Sequence, residues 1–288
     1  MSVFRTNIKI EDPAYRNIRD GNHRMEIFGR ELTEFLWLKF EPLSDLHFVE
    51  QLAIDFDARF WEMDLTVGLI EQGHDVSCPK PGPDVCVGSV DGNLWFEAIA
   101  PQPGKGADKI PEIVPGIAQD VPDEQIVLRY TSAIEEKFRK YNEYVEKGII
   151  SKTEPYVIAI NGCQLPSARA DFDPPRIIRS VFPIGGQFVT FDRKTGGVVD
   201  SGFNFKAAVK KAKGADVSID YFLQPKYAGI SAILFSCSDC CNRVTDGNDW
   251  IVIHNPLATN PLPQKLVSCH REYVATKIDQ ETYELQHS

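Results

Sequence analysis

A short apolar hairpin with one acidic residue in each arm constrains this chain more than any other stretch. Val85-Cys86-Val87 and Leu94-Trp95-Phe96 are apolar runs, and Asp91-Gly92-Asn93 stands between them. Asp-Gly between two apolar runs is a strong signal for a β-hairpin turn. Because the arms of a hairpin fold together, Asp84 at the start of one arm is expected to meet Glu97 in the other. Two adjacent carboxylates repel each other unless a cation or a shared proton relieves them, so the hairpin predicts a divalent metal site.

Predicted helices and strands flank this hairpin on both sides. In chain order, they are a helix over residues 51–72, a strand over 74–77, the hairpin, a helix over 131–147 and a strand over 156–160. The first helix carries an apolar stripe at helical spacing, with Glu62 at its border. The second begins at Ser132-Ala133-Ile134-Glu135, which matches a capping box. The predicted order is therefore helix, three strands, helix, strand.

This order, with Pro83-Asp84 in one arm and Glu97 in the other, resembles the PD-(D/E)XK nuclease superfamily over roughly residues 51–161. The resemblance implies a restriction-endonuclease-like core in which the hairpin acids hold one or two Mg²⁺ ions and a helical Glu often joins them. Carried over residue by residue, it implies that Asp84 and Glu97 are catalytic and bind the metal, with Glu62 as an accessory ligand. The implied activity is hydrolysis of phosphodiester bonds in a nucleic acid with Mg²⁺, or with Mn²⁺ in its place.

One position departs from the family pattern. The pattern expects Lys two residues after the strand Glu, and here that position is Ile99. The Lys helps to orient and deprotonate the attacking water and offsets charge on the phosphate, which Ile99 cannot do. Lys137 in the following helix is therefore the predicted catalytic cation, with Lys140 and Arg129 as further candidates. The alternative is a non-catalytic binding or scaffold protein that retains the nuclease fold without its Lys.

Three residues are predicted to bind the substrate. Lys105 lies in a Pro- and Gly-rich loop, residues 98–124, which directly follows the strand of the metal site. Arg129 precedes the second helix, and His254 stands at the end of a predicted strand. Ordinary solvation of Lys105 and a strand-capping role for His254 explain the same residues without a substrate.

Charge and hydropathy limit the classes of function. The net charge is -10, which argues mildly against nucleic acid because a phosphate backbone usually meets a concentrated basic surface. A predicted helix carries Lys206, Lys210 and Lys213 on one face, and a solvated face is the favoured interpretation over a nucleic-acid patch. No run of about 18 apolar residues occurs and Met1 to Asp20 lacks an apolar segment, so no membrane span and no secretory signal are predicted. A cytoplasmic location is expected.

The seven cysteines are expected to be reduced thiols. Cys237, Cys240, Cys269 and His270 have ligand types that zinc accepts. Adjacent Cys269 and His270 are awkward as two ligands of one tetrahedron, so a structural zinc is not favoured. A cysteine nucleophile paired with His254 or His270 is favoured less still, because nothing places a base beside a particular thiol.

The expected fold is α/β, with a mixed β-sheet flanked by helices and a C-terminal β-rich elaboration. Residues 1–50 are predicted to be a helical extension, in which a helix from Arg24 to Phe40 packs on the core. Residues 51–161 form the PD-(D/E)XK-like core, and residues 162–288 a β-rich extension packed on it, which includes a hairpin at Gly185-Gly186. The sequence leaves open the oligomeric state, and whether the nucleic acid is DNA or RNA.

Overall fold

A computed structural model describes residues 2–6, 12–90, 92–279 and 283–288. Its α-helices are α1 (Pro13–Asp20), α2 (Arg24–Phe40), α3 (Phe48–Ile54), α4 (Phe56–Glu71) and α5 (Asp123–Glu146). Its strands are β1 (Asp75–Ser77), β2 (Val85–Ser89), β3 (Gly92–Ile99), β4 (Tyr156–Asn161), β5 (Ile184–Phe191), β6 (Val198–Phe205), β7 (Ala208–Lys210), β8 (Asp216–Ser218), β9 (Ala232–Ser236), β10 (Ile251–His254), β11 (Arg271–Lys277) and β12 (Tyr283–His287). None of the helices in these ranges is both long enough and apolar enough to cross a bilayer.

Eight strands form one sheet in the order β1-β2-β3-β4-β9-β10-β11-β12. The central strands β3, β4 and β9 run parallel to one another, and β2 and β10 are antiparallel to them on either side. The predicted mixed sheet flanked by helices is therefore present. Every residue of β4 is buried, as expected for a parallel strand covered on both faces.

The hairpin that the sequence predicts is formed by β2 and β3. Of its predicted turn, Asp91 lies outside the described residues. Gly92 begins β3 with φ +123°, a backbone conformation that residues with a side chain rarely adopt.

Helix α4 is buried on almost its whole surface because it lies between the sheet and the N-terminal helices. Trp61, Leu65 and Leu69 pack with apolar residues of the sheet strands. Phe60 and Met63, on the other side of the helix, pack with residues of α1, α2 and α3. Helix α5 covers the opposite face of the sheet, where Ile126, Tyr130 and Ile134 are fully buried. The two helices fix the positions of polar side chains near β3 from both faces of the sheet.

The predicted helix over residues 51–72 is two helices in the structure. Asp55 separates α3 from α4 with φ −140° and ψ 84°, which are not helical angles. Its carboxylate accepts a hydrogen bond from the backbone N–H of Ala58 at 3.3 Å. This is the N-cap interaction that Asp commonly makes, so Asp55 starts a new helix where the apolar spacing alone continues.

The prediction that a helix begins near residue 131 was also wrong, because α5 begins at Asp123. Ser132 lies inside the helix, where its hydroxyl donates to the carbonyl of Leu128 at 2.7 Å instead of capping the N-terminus. The sequence Ser132-Ala133-Ile134-Glu135 therefore matches the capping-box pattern, but it lies within a longer helix and does not cap it.

Helix α2 has the predicted bounds, but several of its large apolar side chains are exposed. Met25, Phe28 and Phe35 are 46%, 46% and 48% exposed. The buried residues are Gly29, Thr33, Leu36, Trp37 and Phe40. The small residues Gly29 and Thr33 let the helix approach its neighbours closely, which a pattern of apolar letters does not reveal.

Two predictions for the C-terminal half were wrong. Gly185 and Gly186 lie within β5, whose antiparallel partner is β6, so they do not form a hairpin turn. The lysines at 206, 210 and 213 do not share a helix face, because β6 ends at Phe205 and Lys210 is the last residue of β7. Strands β9 to β12 join the same sheet as β1 to β4.

Candidate metal centre

The hairpin places Asp84 and Glu97 side by side. Val85 is paired with Phe96 in the antiparallel register, so the next position along places Asp84 opposite Glu97. Residues directly opposite in an antiparallel pair have neighbouring side chains on the same face. The carboxylate of Asp84 also accepts a hydrogen bond from the backbone N–H of Ala98 at 2.8 Å, which holds it against β3.

The two carboxylate oxygens of Glu97 have different surroundings. Its side chain is fully buried, and Oε1 accepts hydrogen bonds from Lys137 Nζ at 2.9 Å and Lys140 Nζ at 2.5 Å. Oε2 is buried and has no hydrogen-bond partner among the described residues. Burial, and after it the charge of Asp84, raises the pKa of Glu97 above its ordinary value despite the two lysines. One oxygen of Glu97 therefore lacks a hydrogen-bond partner among the described residues, and the charge of Asp84 acts on the same carboxylate.

Glu62 brings a third carboxylate to the same place from α4. It is 4% exposed, is bound by Arg59 one helical turn earlier, and lies 3.9 Å from Lys80 Nζ. Burial, and then the charge of Asp84, raises the pKa of Glu62 to about 7. Lys80 Nζ is also 3.9 Å from Asp84 Oδ1. The charge of Asp84 contributes to the raised pKa of both glutamates, so the three carboxylates lie close together. We call Glu62, Asp84 and Glu97 the acidic triad.

A pocket of about 450 Å³ opens next to the acidic triad. Its lining includes Glu62 and Asp84 together with Lys137 and Lys140 of α5. Glu97 is not part of the lining, since its carboxylate is buried behind the two lysines that bind it. The pocket thus combines acidic groups at its base with ammonium groups on its wall.

The apolar residue at the motif position also lines this pocket. Ile99, two residues beyond Glu97, offers no charge there. Lys137 supplies an ammonium from α5 instead, and its side chain is only 9% exposed. The charge of Glu97 also affects Lys140: burial lowers the pKa of Lys140, but the carboxylates of Glu97 and Asp84 outweigh burial and raise it above the ordinary value.

Of the predicted substrate-binding residues, only Arg129 lines the pocket. Its Nε is buried without a hydrogen-bond partner among the described residues, and its guanidinium packs on Gly104. Lys105 follows Gly104 and is exposed to solvent outside the pocket lining. His254 is buried at the end of β10, three strands away from β3, where its Nε2 lies 2.7 Å from Glu272 Oε1. The structure therefore does not bring His254 to the acidic triad.

Two cations of the site were missed in the sequence. Arg59 lies three residues before Glu62 on the same helix, a spacing that could have indicated it. Lys80 lies in the loop before β2, and no local pattern indicates where its side chain points.

The four residues considered as zinc ligands, Cys237, Cys240, Cys269 and His270, do not form one cluster among the described residues. Cys269 and His270 line a different pocket together with Glu272, whereas Cys240 lies with Asp239 and Cys241. Burial raises the pKa of Cys237 to about 12 and that of Cys269 to about 11, so neither is poised to act as a thiolate nucleophile.

Comparisons of this chain with models of protein families, with curated proteins and with solved structures found no match. The chemistry of the site therefore rests on its own geometry. Three clustered carboxylates are suited to a hard divalent cation, and the surrounding lysines and arginines are suited to the oxygens of a phosphate.

Proposed function

We propose that this protein is a metal-dependent phosphodiester hydrolase, a nuclease with a PD-(D/E)XK-like, restriction-endonuclease-like core over roughly residues 51–161. The observation that carries the proposal is the arrangement around Glu97. Its Oε1 is held by Lys137, while its Oε2 is buried without a partner among the described residues, beside the Asp84 carboxylate. A buried carboxylate oxygen without such a partner, next to a second carboxylate, is suited to coordinate a divalent cation.

The donor set fits Mg²⁺ or Mn²⁺. Asp84, Glu97 and Glu62 offer carboxylate oxygens, which hard cations prefer. Burial, and after it the charge of Asp84, raises the pKa of both glutamates, and a divalent cation would relieve the repulsion from Asp84. A cation bound there would lower the pKa of an attacking water and offset charge on the phosphate.

The chain's own residues supply the rest of the chemistry. Lys137, held by Glu97 Oε1, presents its ammonium at the pocket wall, where it can orient a water molecule and stabilise charge that develops on the phosphate. Arg129 lines the same pocket, so its guanidinium can bind a phosphate oxygen of the substrate.

Access to Glu97 depends on Lys140. Its side chain is 41% exposed, whereas that of Lys137 is 9% exposed. Lys140 can therefore turn into solvent when a cation approaches Glu97, while Lys137 stays in place. The substrate class is nucleic acid, recognised locally by these cations in spite of the net charge of -10.

A second candidate function is favoured by one observation. Two ammonium groups already neutralise Glu97 through a single oxygen, so the site is charge-balanced without a metal. In this case the protein is a non-catalytic binding or scaffold protein that keeps the nuclease fold and binds phosphate groups without cleaving them.

Calorimetric titration with Mg²⁺, combined with a cleavage assay, tests the proposal. The assay uses end-labelled single- and double-stranded DNA and RNA. Wild-type protein is expected to bind Mg²⁺ and to cleave at least one substrate, and Glu97→Gln and Asp84→Asn are expected to lose both. Asp216→Asn is the matched control, because Asp216 is an exposed carboxylate paired with a lysine outside the site.

The other outcomes separate the two candidate functions. Binding of nucleic acid without Mg²⁺ binding or cleavage would support the non-catalytic protein. Mg²⁺ binding that is unchanged in Glu97→Gln and Asp84→Asn would refute the acidic triad as the metal site. Circular dichroism of each variant shows whether it is folded.

A further inference from the structure

A second cluster of metal-binding side chains lies in the loop after β9. Asp239, Cys240 and Cys241 each offer one donor atom, and these atoms all lie within 4.8 Å of one another. None of these residues takes part in the acidic triad or lines its pocket. The donors include sulfur, so this cluster favours a different class of ion from the all-oxygen triad.

The two thiols are separated as two ligands of a zinc ion would be. Cys240 Sγ lies 3.7 Å from Cys241 Sγ, and both cysteines are free. In a tetrahedral zinc site with Zn–S bonds of about 2.3 Å, the two sulfurs lie about 3.8 Å apart. Although the cysteines are adjacent in sequence, the loop turns their thiols toward each other.

The surrounding structure holds this arrangement in place. Cys240 is 5% exposed and packs against Gly29 of α2, where an added Cβ would lie 3.1 Å from its Sγ. Asp239 Oδ1 accepts a hydrogen bond from the backbone N–H of Cys241 at 2.8 Å. Asn242 Oδ1 accepts one from the backbone N–H of Asp239 at 2.6 Å. The ligand atoms are therefore arranged before any ion binds.

We propose that Asp239, Cys240 and Cys241 bind a divalent ion of the zinc class, with a water molecule in the fourth position of the tetrahedron. Binding converts both thiols to thiolates, so two protons leave for each ion bound. Arg169, whose guanidinium pairs with Asp239, offsets part of the negative charge around the ion. The ion is held in the loop after β9, against Gly29 of α2 and outside the pocket of the acidic triad, so the site is independent of the proposed nuclease activity.

Titration of the full-length protein with Co²⁺ tests this site, because Co²⁺ takes the place of Zn²⁺ and absorbs light. The protein is first stripped with a chelator, reduced and kept under nitrogen. We expect one Co²⁺ per chain with a sulfur-to-cobalt charge-transfer band and the intense visible bands of tetrahedral geometry. Zn²⁺ added in equal amount is expected to displace Co²⁺ and so to remove the charge-transfer band and the visible bands.

Four variants identify the ligands. Cys240→Ser and Cys241→Ser are expected to lose the charge-transfer band, and Cys269→Ser, which changes another half-buried free cysteine, is expected to keep it. Asp239→Asn is expected to raise the Co²⁺ dissociation constant about tenfold or more, since even outer-shell partners of a metal contribute that much.

The charge-transfer band also separates this site from the acidic triad, whose ligands contain no sulfur. Glu97→Gln is therefore expected to leave the band unchanged. Absence of the band in wild-type protein, or its persistence in both Cys240→Ser and Cys241→Ser, would overturn the proposal. Cys241 is partly exposed, so its variant remains informative if the buried Cys240 variant fails to fold.

Discussion

At the scale of single residues, the site depends on the different surroundings of the two carboxylate oxygens of Glu97. A fully buried carboxylate normally has partners for both oxygens, because an unpaired buried polar atom costs free energy. Here Oε1 has two lysines and Oε2 has no hydrogen-bond partner among the described residues. The two lysines differ in exposure, so they are expected to differ in function.

Replacing Lys137 by Met is expected to reduce cleavage about 100-fold to 1,000-fold, the usual effect of removing one group that stabilises transition-state charge. Binding of Mg²⁺ is expected to persist, because Asp84 and Glu97 remain. The measurement is the single-turnover cleavage rate at saturating Mg²⁺. Lys210→Met, which removes an exposed lysine from a surface ion pair, is the control. Full activity of Lys137→Met would refute its catalytic role.

Replacing Lys140 by Met is expected to tighten Mg²⁺ binding, because it removes an ammonium that competes with the cation for Glu97. The expected gain is up to about fivefold, since a half-exposed ion pair contributes up to about 1 kcal/mol. Calorimetric titration measures it. Weaker Mg²⁺ binding in this variant would show that Lys140 supports the metal site instead of competing with it.

At the scale of secondary-structure elements, the site is assembled by elements that approach β3 from both faces of the sheet. Helix α4 supplies Glu62, helix α5 supplies Lys137, and the loop after β3 packs on Arg129. Close packing between these elements leaves little freedom, so small substitutions in them have measurable effects.

Gly104→Ala is expected to displace Arg129, because the added Cβ would lie 2.5 Å from its Nη1. Loss of one charge-assisted hydrogen bond to phosphate is expected to weaken nucleic-acid binding about tenfold or more. Gly106→Ala is a matched control: Gly106 also has positive φ, but nothing lies within 4 Å of its added Cβ. Fluorescence anisotropy with a labelled oligonucleotide compares the two. Equal affinities would contradict a role for Arg129 in binding.

Gly68→Ala is expected to destabilise the protein although Ala favours helix more than Gly. The added Cβ would lie 2.7 Å from the ring of Trp250, which packs on α4. Overpacking of this kind costs about 1–3 kcal/mol, against a gain of about 1 kcal/mol in helix propensity. Urea denaturation measures the net change, with Gly186→Ala in open space as the control. A more stable Gly68→Ala protein would show that Trp250 moves freely.

At the scale of the whole molecule, acidic groups that lie between elements affect stability as the pH changes. Asp249 precedes β10 and binds the hydroxyl of Ser236 at the end of β9, and its Oδ1 is buried without a hydrogen-bond partner among the described residues. Burial raises the pKa of Asp249 above its ordinary value, more than its hydrogen bonds and Arg243 lower it. The folded state therefore prefers the protonated form.

A raised pKa in the folded state adds stability below the ordinary value of 3.8, and this contribution is lost as the pH rises through the raised pKa. Asp249→Asn removes the buried charge, so it is expected to be more stable than wild type at pH 8. The difference is expected to shrink as the pH approaches 4. Urea denaturation across this range measures it, with the exposed Asp200→Asn as the control. A difference independent of pH would show that Asp249 does not titrate in this way.

The sequence by itself determined the features that depend on near neighbours in the chain. A short hairpin has a fixed register, so the two apolar runs and the turn between them suffice to predict that Asp84 lies beside Glu97. The bounds of α2 are likewise local, because they depend on spacing within one helix. A lysine on α5 near Glu97 was predictable because a helix that follows a strand packs back on the sheet.

Only the tertiary structure decided the features that depend on distant packing. The buried face of α2 and the pairing of β5 with β6 follow from neighbours that local spacing does not reveal. The Oε2 atom of Glu97 also depends on the assembled site, because it becomes buried without a hydrogen-bond partner among the described residues only when the elements pack together. The position of Cys240 and Cys241 against Gly29 joins a loop to a distant helix, so it exists only after the chain has folded.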